Sequence, residues 1–112
     1  MGKYRIRWTC HAQGDFDRLV AYICQENPHN AQKIFKAIRK QVDRLASFPR
    51  RGRIVPELKT FPLDFYRESI LHPWRILYRI LDKEVIVMGI FDGRRDLQSS
   101  LLQRASGSLP IK

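Results

Sequence analysis

Residues 65–91 read FYRESILHPWRILYRILDKEVIVMGIF, and the periodicity of this stretch sets the fold class. Three runs, Phe65 to Leu71, Trp74 to Leu81 and Glu84 to Phe91, are rich in β-branched and aromatic residues, which suit a pleated, half-buried surface. His72-Pro73 separates the first run from the second, and Asp82-Lys83 separates the second from the third at hairpin distance. The spacing predicts a three-stranded antiparallel meander. In the second run Trp74, Ile76, Tyr78 and Ile80 share one face while Arg75, Leu77 and Arg79 share the other. Val85 to Met88 is apolar on both faces, so the last strand is expected to be central in its sheet.

Upstream, Tyr4, Ile6 and Trp8 alternate with Arg5 and Arg7, the period of a first strand. Thr9 then caps a helix whose apolar positions Phe16, Leu19, Val20, Ile23 and Cys24 recur at helical spacing. Asn27-Pro28 stops this helix and starts a second, because Asn caps and Pro is tolerated at the first helical position. The second helix turns Ala31, Ile34, Phe35, Ile38, Val42 and Leu45 inward and leaves Lys33, Lys36, Arg39, Lys40 and Arg44 to water. An antiparallel helix hairpin is expected. Beyond Phe48-Pro49, the residues Pro56 and Pro62 predict an irregular loop with Arg50, Arg51 and Arg53 at its entry. A short last helix is expected from about Arg95, using Leu97, Leu101 and Leu102, followed by a loose tail. The domain reading is one domain over 1–104 and a flexible tail over 105–112.

A chain of 112 residues with 44% hydrophobic content fits one core of useful size. No apolar run approaches the length needed to cross a bilayer, and the first residues lack a signal-peptide pattern, so a cytoplasmic protein without membrane contact is expected. Cys10 and Cys24 lie 14 positions apart on one helix, too far to bridge, and are expected to be buried free thiols. Neither they nor His11, His29 and His72 show metal-ligand spacing, so neither metal nor cofactor is expected. Lys and Arg number 21 against 11 acids, a formal charge of +10 divided evenly between residues 1–48 and 49–112. A field of that sign belongs to the folded body and favours an anionic partner, either nucleic acid or an acidic protein.

Three strings carry a resemblance: Leu45-Ala46-Ser47-Phe48-Pro49-Arg50-Arg51-Gly52-Arg53-Ile54-Val55-Pro56-Glu57-Leu58, then Tyr66-Arg67-Glu68 with Trp74-Arg75-Ile76-Leu77-Tyr78-Arg79, and Phe91-Asp92-Gly93-Arg94-Arg95-Asp96-Leu97. With the order of elements they make the chain similar to the RelE/ParE superfamily of type II toxin-antitoxin toxins, and to its ParE-like branch in particular. The resemblance implies an α+β fold with an N-terminal strand, a two-helix hairpin, a three-stranded meander and a short C-terminal helix. It also implies a toxin held in a hetero-oligomer by a cognate acidic antitoxin.

One branch of that superfamily resembles ribosome-dependent messenger RNA endonucleases, and another resembles inhibitors of DNA gyrase. Metal-free RNA cleavage requires a proton acceptor, a donor to the leaving oxygen and cations at phosphorus. The nuclease resemblance places basic catalytic residues at Arg67, Arg75 and Arg95, which would have to converge on one sheet face or edge. This chain departs from that pattern. Ser69 stands where a lysine is expected, Asp92 where histidine is common, and no tyrosine or histidine follows the Arg94-Arg95 pair. His72, beside Pro73, reads as a turn residue. Arg75 and Arg79 could also form a solvated face pairing with Glu68 and Glu84 across strands. The preferred expectation is a gyrase-binding toxin, with Arg50, Arg51, Arg53, Arg79 and Arg94 contacting target or antitoxin. The alternatives are a ribonuclease acting on ribosome-bound message and a non-toxic nucleic-acid-binding module.

Overall fold

The computed structural model describes residues 3–59 and 65–93. The expected helix near Arg95 to Leu102, the tail over 105–112, and Arg94 and Arg95 themselves lie outside the described residues. Strand β1 (Arg5–Trp8) leads into helices α1 (Cys10–Glu26) and α2 (Pro28–Asp43). A 3-10 turn (Arg44–Ala46), a two-residue strand β2 (Arg53–Ile54) and a second 3-10 turn (Pro56–Leu58) follow. Strands β3 (Tyr66–Leu71), β4 (Trp74–Leu81) and β5 (Glu84–Asp92) complete the sheet.

Both helix starts are closed by side chains, as their sequences require. The Thr9 hydroxyl accepts the Ala12 N–H at 3.1 Å, and the Asn27 side-chain oxygen accepts the Asn30 N–H at 3.1 Å. Asn27 also donates its own N–H to the Ile23 carbonyl at 2.8 Å, so one residue ends α1 and begins α2. With no longer joint available, α2 must run back along α1. Ala12, near the start of α1, shares a core cluster with Ile38 and Val42, near the end of α2, and Phe16 stacks on Phe35 with ring centroids 5.1 Å apart.

The strand order is β1-β5-β4-β3-β2, antiparallel throughout except that β1 runs parallel to β5. The hairpin covers one face, where Ile76, Val87 and Ile90 meet Ala12, Phe16, Ile38 and Val42. On the outer face Tyr66, Leu77, Ile86 and Met88 are covered by Val55 and Leu58 from the segment after β2. Each such side chain contributes about 1.5–3 kcal/mol when fully buried. The register shift between Leu77 and Tyr78 inserts an extra residue into β5, and Met88 and Phe91 both reach the outer cluster because of it.

β5, paired with β1 on one side and β4 on the other, is an interior strand as its two apolar faces require. Two expectations are corrected. The loop after Pro49 is less irregular than its prolines suggest, since Arg53 and Ile54 pair with Glu68 and Arg67. The cysteines are free but not both buried: Cys10 is half-buried and Cys24 is exposed, being at the edge of the stripe that α1 turns inward. His72 does sit in the turn between β3 and β4, beside a cis Pro73.

Candidate functional site

Strand parity decides where each arginine can act. Arg67 pairs with Tyr78 and Ile70 with Arg75, and directly opposed residues project from the same side of a sheet. Tyr78 packs with Leu45 on the helix side, whereas Leu77, next to it, belongs to the outer cluster. Arg67 therefore leaves the helix face and Arg75 the outer face. The expected convergence of these two cations does not occur, because one lies at an odd and the other at an even step from the shared register.

On the outer face Arg75 is almost fully enclosed, with 8% exposure. Its Nε donates to Glu68 Oε1 at 2.6 Å, and its Nη1 and Nη2 donate to the two oxygens of Glu57 at 2.6 and 2.7 Å. Glu68, whose side chain is wholly buried, also accepts from Arg53 Nε at 2.6 Å. Two cations and two acids thus form a neutral network beneath the Pro56–Leu58 turn. The Arg75 hydrogen bonds hold the Glu57 carboxyl below its ordinary value, against the opposing effect of burial. The same contacts to Glu57, then Glu68, raise the Arg75 guanidinium above its ordinary value, although desolvation opposes them. Arg75 stays charged, and each of its three nitrogens donates to a carboxylate.

Arg67 is used differently: its Nη1 donates to the Gly52 carbonyl at 2.7 Å. Next to it the Tyr78 hydroxyl donates to the Pro49 carbonyl at 2.7 Å and accepts the Gly52 N–H at 3.0 Å. Burial raises the Tyr78 hydroxyl pKa, partly offset by that Gly52 bond and by Arg67. The segment leaving the helices is thereby pinned to β4. Only glycine fits at position 52, since a Cβ there would lie 2.4 Å from the Glu68 carbonyl oxygen.

The pin sets out a surface on the other side of that segment. Arg50 and Arg51, with Tyr4, Phe48 and Pro49, line a shallow, largely apolar depression of about 610 Å³. A second depression, of about 730 Å³, lies along α2 between Lys3, Phe35, Lys36, Arg39, Lys40, Asp43, Arg44 and Ser47. The Tyr4 N–H donates to the Ala46 carbonyl at 2.8 Å, so the chain entering β1 lies against the 3-10 turn that follows α2. Arg79 is elsewhere, on the outer face over the Phe65 ring at 4.4 Å. It does not pair with Glu84, which is engaged by Arg5 and Arg7.

Residues 6–97 match the family model described as ParE toxin of type II toxin-antitoxin system, parDE. The chain belongs to this toxin family. Toxin ParE3 of Caulobacter vibrioides is 32% identical over 102 residues, spanning 87% of this chain and 94% of that protein. The chromosomal ParDE toxin-antitoxin system from P. aeruginosa includes a chain that superposes with a TM-score of 0.67 at 23% identity, covering 80% of this chain and 96% of that one. A chain of the RelBE2 toxin-antitoxin complex from Mycobacterium tuberculosis superposes with a TM-score of 0.60 at 22% identity, over 80% and 98% of the two chains. At these identities the two structures establish the shared α+β fold of ParE and RelE toxins. Among the described residues no helix is long and apolar enough to cross a membrane.

Sequence reasoning missed two features of this ParE-family chain. Glu57 sits in what reads as an irregular loop, and only the tertiary fold brings it to Arg75. The basic residues of α2 read as an ordinary solvated face. The signal that separates them from one is Phe35, an aromatic within the apolar stripe that is 42% exposed beside them.

Proposed function

We propose that this toxin arrests growth by binding a bacterial target rather than by cleaving RNA, that the target is DNA gyrase, and that a cognate acidic antitoxin holds it silent in a hetero-oligomer. The observation that carries the reading is the state of Arg75. A cation that stabilises a five-coordinate phosphorus must reach it and offer it uncompensated charge, whereas Arg75 is buried and donates from all three of its nitrogens to Glu57 and Glu68. Arg67 leaves the opposite face and holds the Gly52 carbonyl, so the pair cannot close on one phosphate. The ParE family model supports the gyrase branch, and the excess of 21 basic over 11 acidic residues supports an acidic neutralising partner.

Purified toxin added to gyrase should inhibit supercoiling of relaxed plasmid, and its induction in cells should raise the DNA-damage response before translation falls. Primer extension on messages from the same cells should find no new 5′ ends. Cleaved messages together with undisturbed supercoiling would overturn the reading in favour of the ribosome-dependent nuclease. The double substitution Arg75→Ala with Arg95→Ala would then abolish cleavage.

A further inference from the structure

A helix face that serves only solubility interleaves cations with acids, because opposite charges four positions apart stabilise a helix and like charges there destabilise it. α1 follows that rule: Gln13 donates to Asp17 at 3.0 Å, and Arg18 pairs with Asp15 at 2.9 Å. α2 and the turn after it break the rule. Lys36, Lys40 and Arg44 succeed one another at four-residue intervals, Lys33 and Arg39 stand beside them, and the sequence from Pro28 to Val42 holds no acid. All of these cations are exposed, while Ala31, Ile38 and Val42 are buried on the inward side of the helix. None of them makes an ion pair among the described residues. Like charges kept at contact spacing, without a carboxylate of the chain to balance them, fit a ligand that supplies the negative charge.

The row has the charge spacing of a nucleic-acid backbone. From Lys33 to Arg44 it runs about 16 Å at helical rise, and a DNA strand carries one phosphate per about 3.4 Å of its axis, so roughly five phosphates face it. A second helix laid alongside would present one carboxylate per turn, about three over the same length. Phosphates are the closer match. Lys3 stands in the wall of the same shallow depression, where Asp43 is the one acid. Single-strand surfaces add free aromatic faces on which bases stack. Here the one aromatic of the hollow is Phe35, and one face of its ring is already taken by Phe16. A duplex, which keeps its bases stacked within itself, asks for the cations alone.

We propose that the cation row of α2 is a docking surface for the phosphate backbone of duplex DNA, held without regard to base sequence, through which the toxin grips the DNA that its target presents. The proposal rests on the gyrase reading in its last clause, since an enzyme that works on duplex DNA brings that polymer beside whatever binds it. Attraction of this kind is electrostatic. Each phosphate neutralised releases counterions, so the affinity falls with salt by an exponent close to the number of phosphates contacted.

The test uses the full chain and a fluorescein-labelled 20-base-pair duplex, followed by fluorescence anisotropy from 50 to 200 mM salt. Binding should saturate, with a slope of log affinity against log salt of about −4, and duplexes of unrelated sequence should bind alike. Lys36→Gln with Lys40→Gln should weaken binding at least tenfold at 50 mM salt and make the slope shallower by about 2. The variant removes a like-charge pair, so its melting temperature should hold or rise; a fall would overturn the view that these charges are kept for a ligand. Lys59→Gln, beside the turn over the outer face, should leave the slope unchanged, and an equal loss per charge there would overturn the row in favour of a diffuse field. No binding at 50 mM salt, or tighter binding of the single strand or of a glutamate-rich helical peptide, would overturn the duplex assignment. With gyrase and relaxed plasmid, the α2 variant should inhibit supercoiling at least tenfold less potently than the unaltered chain. Unchanged potency would overturn the grip on the target's DNA while leaving the gyrase reading intact. Duplex binding by a chain that does not inhibit gyrase would sink that reading and support the surface.

Discussion

Arg75 donates from all three guanidinium nitrogens, and its removal would leave the fully buried Glu68 carboxylate with only Arg53, whose own side chain is 59% exposed. Breaking a buried pair from one side costs about 3–5 kcal/mol, because a charge remains without its partner in a poorly solvated place. Arg75→Ala should therefore lower the urea midpoint of unfolding by an amount corresponding to about 3 kcal/mol, and adding Glu68→Gln should recover much of it. Glu57 gives this residue a pH signature. Its folded pKa lies below the unfolded one, so its contribution is present above the ordinary carboxylate value and is lost as the pH falls through the folded value. Stability measured from pH 7 downward should drop below the ordinary carboxylate range, and Glu57→Gln should flatten that limb.

Residues 49–52, which lead from the helices into β2, are tied to β4 by Tyr78, which supplies two hydrogen bonds there. Tyr78→Phe removes the donor to Pro49 and the acceptor of the Gly52 N–H, a loss of about 2 kcal/mol at a typical value near 1 kcal/mol for each net bond. Limited proteolysis should then cut between residues 50 and 59 faster than in the unaltered chain. Gly52→Ala should loosen the same segment by displacing it from the β3 backbone. At the start of α1, Thr9→Ala should cost about 1 kcal/mol through the lost cap while leaving the proteolysis pattern of the 50–59 segment unchanged. The two elements share no hydrogen-bond partner, so the effects of Thr9→Ala and Tyr78→Phe should add.

For the molecule as a whole, the excess of positive charge acts on encounter with a partner more than on folding. Among the described residues a run of unpaired cations, Lys36, Arg39, Lys40 and Arg44, lies along α2 and the turn after it, so an acidic partner is steered toward that side. The association rate measured by stopped flow should fall at least tenfold between 50 mM and 500 mM salt, as the screening length shrinks from about 14 to about 4 Å. The dissociation rate should change less, because apolar contacts within an interface are not screened. The neutral network on the outer face should contribute little to this salt dependence, since its charges already cancel within the chain.

Local chemistry was enough for much of this. The period of residues 65–91, the Thr9 cap and the Asn27-Pro28 joint specify strands, helices and hairpin, because each depends only on neighbours within a few positions. The family resemblance was likewise carried by contiguous strings. Contacts between distant residues were not legible. Glu57 meets Arg75 across 18 positions, and the pairing of Arg67 with Tyr78 sends Arg67 and Arg75 to opposite faces. Nothing in the order of residues states a register or a long-range ion pair, since both arise only when strands pair and the segment after β2 folds over the sheet. The sequence by itself determined the first strand, the two helices, the meander and the sign of the charge. Tertiary structure alone decided which arginines are spent inside the protein and which remain for a partner, because burial and pairing are properties of space and not of sequence.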